Sequence, residues 1–327
     1  MAASKRRTNL MRGCGAAAVG LLLASPTWGQ GGGTTTPYSG YNAGATAAQV
    51  PTAQPATTAS QPGGQPAYRI AQAPAAGATE QQLATVQSPN IVTQGAAGEH
   101  PLMPALRWAH EGVGRISQIQ DYSCTMYKRE RVDGVVGDYQ AMYVKVRHQP
   151  FSVYMYFLSP ADIKGQEVIW VKGVNDNKLQ AHAVGIKNVV GTVSLNPTGQ
   201  IAMRGNRYPI TEVGILNLVE RLIQVGEKDA QYGECEVRFQ KAKIGGRPAT
   251  CIQVVHPVPR RNFLFHLARI FVDDELNLPI RYESYSWPSQ PGGQPELLEE
   301  YTYQNFKLNN GFTDQDFDTR NPKYGFR

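Results

Sequence analysis

Six histidines, four cysteines and a few clustered carboxylates are the side chains here that could hold a metal or run acid–base chemistry. Their spacing decides what they can do. His100, His110, His148, His182, His256 and His266 are scattered, and no two stand at metal-ligand spacing. No His-Glu-x-x-His or Cys-x-x-Cys string occurs, nor a Gly-x-Ser-x-Gly elbow or a phosphate loop. Asp314, Asp316 and Asp318 are spaced like the start of a calcium loop, but Thr319 stands where that loop needs Gly and Gly325 where it needs Glu. A terminal turn with solvated carboxylates is the reading. Glu299-Glu300 and Asp273-Asp274-Glu275 offer neighbouring acids, yet neighbours on a strand point to opposite faces and do not converge on one substrate. The chain is therefore read as a non-enzyme without cofactor or metal, a hydrolase using carboxylates or histidine being the least favoured alternative.

The positive signal is apolar. Phe151–Leu158 is almost wholly aromatic and aliphatic, so both faces of this strand need cover. Met142, Tyr154, Met155, Tyr156 and Trp170 are the candidate linings of a cavity for a hydrophobic ligand. An ordinary packed core is the competing reading for each of them. Lys128, Arg129, Arg131 and Arg260-Arg261 form basic clusters that either meet anionic lipid heads at a membrane surface or blunt exposed strand edges.

The elements that must position these residues follow from pattern. Lys5, Arg6, Arg7 and Arg12 precede an uncharged run, Gly13–Ala24, then Pro26 and small residues in Thr27-Trp28-Gly29. That is a secretory signal over 1–29, the apolar run being shorter than the ~20 residues needed to span a bilayer. An uncleaved anchor is the alternative. Cys14 precedes the apolar run, so it is no lipid-attachment cysteine. The signal holds four of the 32 basic residues, leaving 28 against 26 acidic ones. A net of about +2 gives no case for a nucleic-acid partner. Residues 30–98 are Gly, Ala, Thr, Gln and Pro with Arg69 and Glu80 as their only charges, a composition that predicts a disordered spacer. The folded domain is expected over 99–327.

Leu102, Leu106, Ala109, Val113 and Ile116 recur at helical spacing. A second helix follows Pro209, with Thr211 as cap and Gly226 as terminator. Strands are expected over 121–131 and 135–148 around Asp133-Gly134, and over 151–158, 166–172 and 178–184. A long loop covers 185–207, and further strands run 234–243, 248–255, 264–272, 279–287 and 297–308. No helix alternates with each strand, so the sheet is antiparallel. A two-residue turn at Gly245-Gly246 sets Lys243 opposite Pro248 and Cys251 opposite Gln240. Cys235 and Cys251 then lie on opposite faces and do not bridge, while a bond from Cys124 to either stays open.

Several strings carry a family resemblance: Ser159-Pro160-Ala161-Asp162-Ile163-Lys164-Gly165-Gln166-Glu167, Tyr208-Pro209-Ile210-Thr211, Asp274-Glu275-Leu276-Asn277-Leu278-Pro279, Glu299-Glu300-Tyr301-Thr302-Tyr303, and 311–318. Over about His100 to Arg327 the chain resembles the bacterial domain of unknown function 1571 family, itself distantly similar to the LolA/LolB lipoprotein-carrier superfamily. The resemblance implies an α+β fold: an open antiparallel half-barrel of about ten strands covered by two or three helices, whose hollow takes acyl chains. It transfers no catalytic residue. The expectation is an exported protein of the periplasm or cell envelope that binds an acyl chain or lipoprotein. A structural or interaction protein with a filled core is the alternative.

Overall fold

The β5 strand, Ser152–Ser159, is buried on both sides, and the architecture follows from how each side is covered. In the computed structural model, residues 68–70, 88–184, 191–290 and 292–326 are described. The expected signal and most of the expected spacer lie outside them.

One antiparallel sheet carries the fold. Its path is β1 (Tyr68–Ile70), β9 (Glu236–Ile244), β10 (Arg247–Val255), β11 (Leu267–Asp273), β12 (Pro279–Ser286), β13 (Glu296–Leu308), β2 (Asp121–Val132), β4 (Gln140–Arg147), β5, β6 (Glu167–Val171), β7 (Leu179–His182) and β8 (Thr192–Leu195). β3 (Val135–Val136) pairs with β2 off this path. β1 and β8 do not meet, so the sheet is open, an α+β half-barrel with three helices. It is also coiled. A Cβ on Gly245, in the β9–β10 turn, would meet the side-chain amide of Gln304 on β13 at 3.0 Å, although β11 and β12 lie between.

The turns obey their residues. Asp133-Gly134 and Gly245-Gly246 have φ of 50° and 80°, and 56° and 85°, the left-handed pairs a two-residue hairpin needs. Lys243 pairs with Pro248 and Cys251 with Gln240, as the spacing predicts. Cys124, Cys235 and Cys251 are free and buried.

Four expectations differ. The loop expected over 185–207 contains β8 and a short helix α2, Gln200–Met203; four residues are enough to add an edge strand where a Gly- and Asn-rich sequence gives little strand signal. Thr211 sits in a 3-10 turn rather than capping α3 (Ile215–Asp229), whose N-cap is Gly214. Gly226 lies inside α3 and ends nothing. A Cβ there would stand 3.0 Å from Leu106 Cδ2, so glycine lets α3 press against α1 (Met103–Ser117). Within the expected spacer, Ile91 is 3% exposed in the core, and Ser88 and Asn90 hydrogen-bond Thr250 and the Asp274 carbonyl.

α1 and α3 cover the inner face of the sheet, packing Leu106, Ala109, Ile116, Val219 and Ile223 against Ile252, Val254, Ala268 and Ile270. The Trp108 indole N–H donates to Asn277 Oδ1 at 2.7 Å and ties α1 to the β11–β12 turn. The outer face of β4–β6 is covered by a strap made of residues 309–326. Buried Asp121 accepts the backbone N–H groups of Asn310, Gly311 and Phe312 at 2.6, 3.1 and 2.9 Å. Lys145 donates to Asp316 and to the Tyr324 hydroxyl at 2.8 and 3.0 Å, Tyr324 stacks on Tyr154 at 4.2 Å, and Glu167 accepts the Gly325 N–H at 2.7 Å. Asp121→Ala should strip three charge-assisted bonds from the strap and cost about 2–4 kcal/mol in urea denaturation, with early proteolysis after residue 308. A loss below about 0.5 kcal/mol would show that the strap is not held this way.

Candidate functional site

Alternation along the strands sets what faces inward. Met142, Val144 and Val146 on β4 pair with Phe157, Met155 and Val153 on β5, and Val153 pairs with Trp170 on β6. All of these belong to the core that includes the helices. The opposite set, Tyr143, Tyr154, Tyr156 and Ile169, joins Phe312, Phe317, Tyr324 and Phe326 of the strap. The five aromatic and methionine candidates are thereby divided. Met142, Met155 and Trp170 face inward, and Tyr154 and Tyr156 face outward beneath the strap, because residues one apart on a strand cannot share a face.

A void of about 60 Å³ sits between α1, α3, β10 and β11, lined by Leu106, Trp108, Leu222, Ile252, Phe265 and Ile270 among others. A cleft of about 650 Å³ opens between the end of α1, the start of α3 and the end of the sheet where β4 turns into β5. Its floor is Val146, Phe151, Trp170, Val213 and Leu216; Phe151 meets the Trp170 ring edge-on at 5.7 Å. Asn196, Pro197, Thr198, Thr211 and Asn217 form one wall, and His148, Gln149, Lys172 and Asn177 the other. The volume is within the ~300–1,000 Å³ of small-molecule sites. Of the expected candidates, Trp170 lines this cleft, and Met142 and Met155 lie in the packed core beside it.

The cleft wall is mostly self-satisfied. The Trp170 indole donates to the Asn177 carbonyl at 3.0 Å, Asn217 to the Val213 carbonyl at 3.0 Å, and Asn196 accepts from Thr198. Two ionisable groups stand apart. Both ring nitrogens of His148 are shielded from solvent without a hydrogen bond of ordinary geometry. Burial pulls the pKa of this ring down, against the Ile119 carbonyl, Asp121 and Glu220. Lys172 is exposed at the rim and makes no ion pair among the described residues. No Asp or Glu lines the cleft. Sequence reasoning missed His148, yet the signal existed: His148 continues the inward alternation Met142, Val144, Val146.

Other ionisable clusters close on themselves. Glu299 and Glu300 do point apart, as strand geometry requires. Glu300 reaches Arg281 and Tyr139 on the outer face, where Arg281 also grips Glu283. Glu299 turns inward and opposes Glu130 across the β13–β2 pair. Tyr301 donates to Glu130 and stands 3.3 Å from Glu299, while Lys128 and Arg207 balance the two carboxylates at 3.2 and 3.0 Å. Arg129 and Arg131 bond backbone carbonyls of Gly137 and Leu297, and Arg260 pairs with Glu234. The thiols are poor nucleophiles: burial pushes Cys124 well up, and Cys235 and Cys251 up to about 12. Among the described residues no group of three His, Cys, Asp or Glu could hold a metal, and no helix is long and apolar enough to cross a membrane.

An open antiparallel sheet, helices against its inner face and an apolar hollow at one end define a half-barrel. The chain belongs to the family described as "Protein of unknown function (DUF1571)", whose model matches residues 119–326. Solved structures similar to it include the lipoprotein LppX of Mycobacterium tuberculosis, 14% identical, covering 66% of this chain and 100% of that one with a TM-score of 0.38. A DUF1329 family protein of Desulfovibrio piger is 12% identical, covering 67% and 98%, TM-score 0.34. A LolA superfamily protein of Nitrosomonas europaea is 13% identical, covering 64% and 97%, TM-score 0.26. No curated protein matches the chain.

Asp229, at the end of α3, adds a measurable signature of the core. Its carboxylate lies 3.4 Å from His256 Nε2, both nearly unexposed, while His256 Nδ1 meets the Phe265 carbonyl at 3.1 Å. Nδ1 must donate there, so a neutral ring offers Asp229 a lone pair. Burial pushes the Asp229 carboxyl up to about 6, against Lys228. The fold prefers it protonated, so its contribution is complete below about pH 4 and is lost as pH rises through about 6. Asp229→Asn should then be more stable than the parent by about 1–2 kcal/mol at pH 7.5, the gap closing near pH 4, in urea melts across that range.

Proposed function

We propose that this chain is an exported, non-catalytic protein of the bacterial envelope that holds an apolar ligand of acyl-chain type, free or on a lipoprotein, in the cleft at the open end of its half-barrel. The observation that carries this reading is the 650 Å³ cleft with a floor of Val146, Phe151, Trp170, Val213 and Leu216. Emptying water from such a floor stabilises a hydrocarbon by about 25 cal/mol per Å² before ordering costs. The secretory pattern of residues 1–29 supports export, and no carboxylate or cysteine stands among the described residues that line the cleft. The close packing under α1 and α3, with about 60 Å³ unfilled, favours a second reading, a structural envelope protein with a filled core and a stable protein partner.

A fluorescent fatty-acid probe separates the two. The first reading predicts saturable uptake of one probe per chain with quenching of tryptophan emission. Val213→Trp, which fills the hollow without adding charge, should weaken uptake about tenfold or more, a change of ~1.4 kcal/mol or more, with the far-ultraviolet circular dichroism unchanged. No uptake by the parent, or equal uptake by the variant, contradicts the cleft as the site.

A further inference from the structure

The cleft is asymmetric in charge as well as in polarity. One cation, Lys172, stands free at its rim, and no carboxylate stands among its lining residues. In the wall below, the His148 ring keeps both nitrogens closed to solvent beside the Ile119 carbonyl, so it offers the cleft no donor. The amides of Asn177, Asn196 and Asn217 are engaged within the wall. A rim cation over a hollow with no carboxylate among its described lining residues favours a negative head group.

We propose that the ligand is a single-chain amphiphile with a carboxylate head, a long-chain fatty acid, its chain on the Trp170–Phe151 floor and its head at Lys172. The inference rests on the acyl-binding reading and narrows it. A phosphate head is disfavoured because it is usually met by arginine or several convergent donors, and this cleft has one lysine at its rim. The lipid anchor of a lipoprotein is disfavoured twice over: it carries no free carboxylate, and its several chains exceed what a pocket of drug-ligand size accommodates. Lys172 acts as a point charge that follows the head.

The test is titration calorimetry of the purified protein with palmitate, methyl palmitate and dipalmitoyl phosphatidic acid, each below its aggregation threshold. Palmitate should bind at least tenfold more tightly than its methyl ester. Lys172→Gln should weaken palmitate three- to tenfold and leave the ester within twofold. Adding salt should narrow the acid–ester gap in the parent and not in Lys172→Gln. Equal binding of acid and ester, or a variant that weakens both alike, would overturn the carboxylate assignment while leaving an apolar cleft in place. Preference for phosphatidic acid would overturn it in favour of a phosphate head. If none of the three binds, the acyl-binding reading falls as well.

Discussion

A strand that is apolar on both faces cannot be left with one face in water, and β5 imposes that constraint on the whole molecule. Two different devices meet it. On the inner side, helices and the wall segment around Asn196–Asn217 close over Val153, Met155 and Phe157. On the outer side, the C-terminal strap closes over Tyr154 and Tyr156, fastened by Asp121, Arg147, Lys145 and Glu167. The two covers have different consequences. The strap is stitched down by charge-assisted bonds. The inner cover leaves a cleft where the last residue of α1, Ser117, and the first turn of α3, with Leu216 and Asn217, meet the sheet.

That division explains why the ionisable side chains build so little chemistry. Glu130, Glu299, Tyr301, Lys128 and Arg207 satisfy one another, and so do Arg281, Glu283, Glu300 and Arg269. A buried charge is tolerated when it is matched and hydrogen-bonded, and each of these clusters is. His148 and Lys172 break the pattern, and they are the two ionisable groups of the cleft.

Much of this was legible from local pattern. The Asp133-Gly134 and Gly245-Gly246 turns, the register that puts Cys251 opposite Gln240, and the helical stripe from Leu106 to Ile116 depend only on neighbours in sequence. The demand that β5 be covered twice was legible too, though not the identity of the second cover. What escaped depends on partners far along the chain. Glu299 finds Glu130 across a strand pair joined late in the sequence, and Gly226 reads as a helix end until Leu106 is placed against it. Tyr154 and Tyr156 have the composition of a cavity wall, but only the placement of Tyr324 and Phe317 turns them into an outer core. In the family strings, Glu299 and Tyr301 serve the buried ion network and Asp316 anchors the strap, so these residues read as structural rather than catalytic.

The account rests on the cleft being a receptacle rather than an unfilled corner. Native mass spectrometry of the chain purified from a bacterial envelope, with solvent extraction of the same sample, tests this most directly. The account predicts a bound mass matching one long-chain amphiphile per chain, recovered in the extract. A spectrum showing the polypeptide mass alone, with no lipid extracted and none taken up on incubation with envelope lipids, would contradict it.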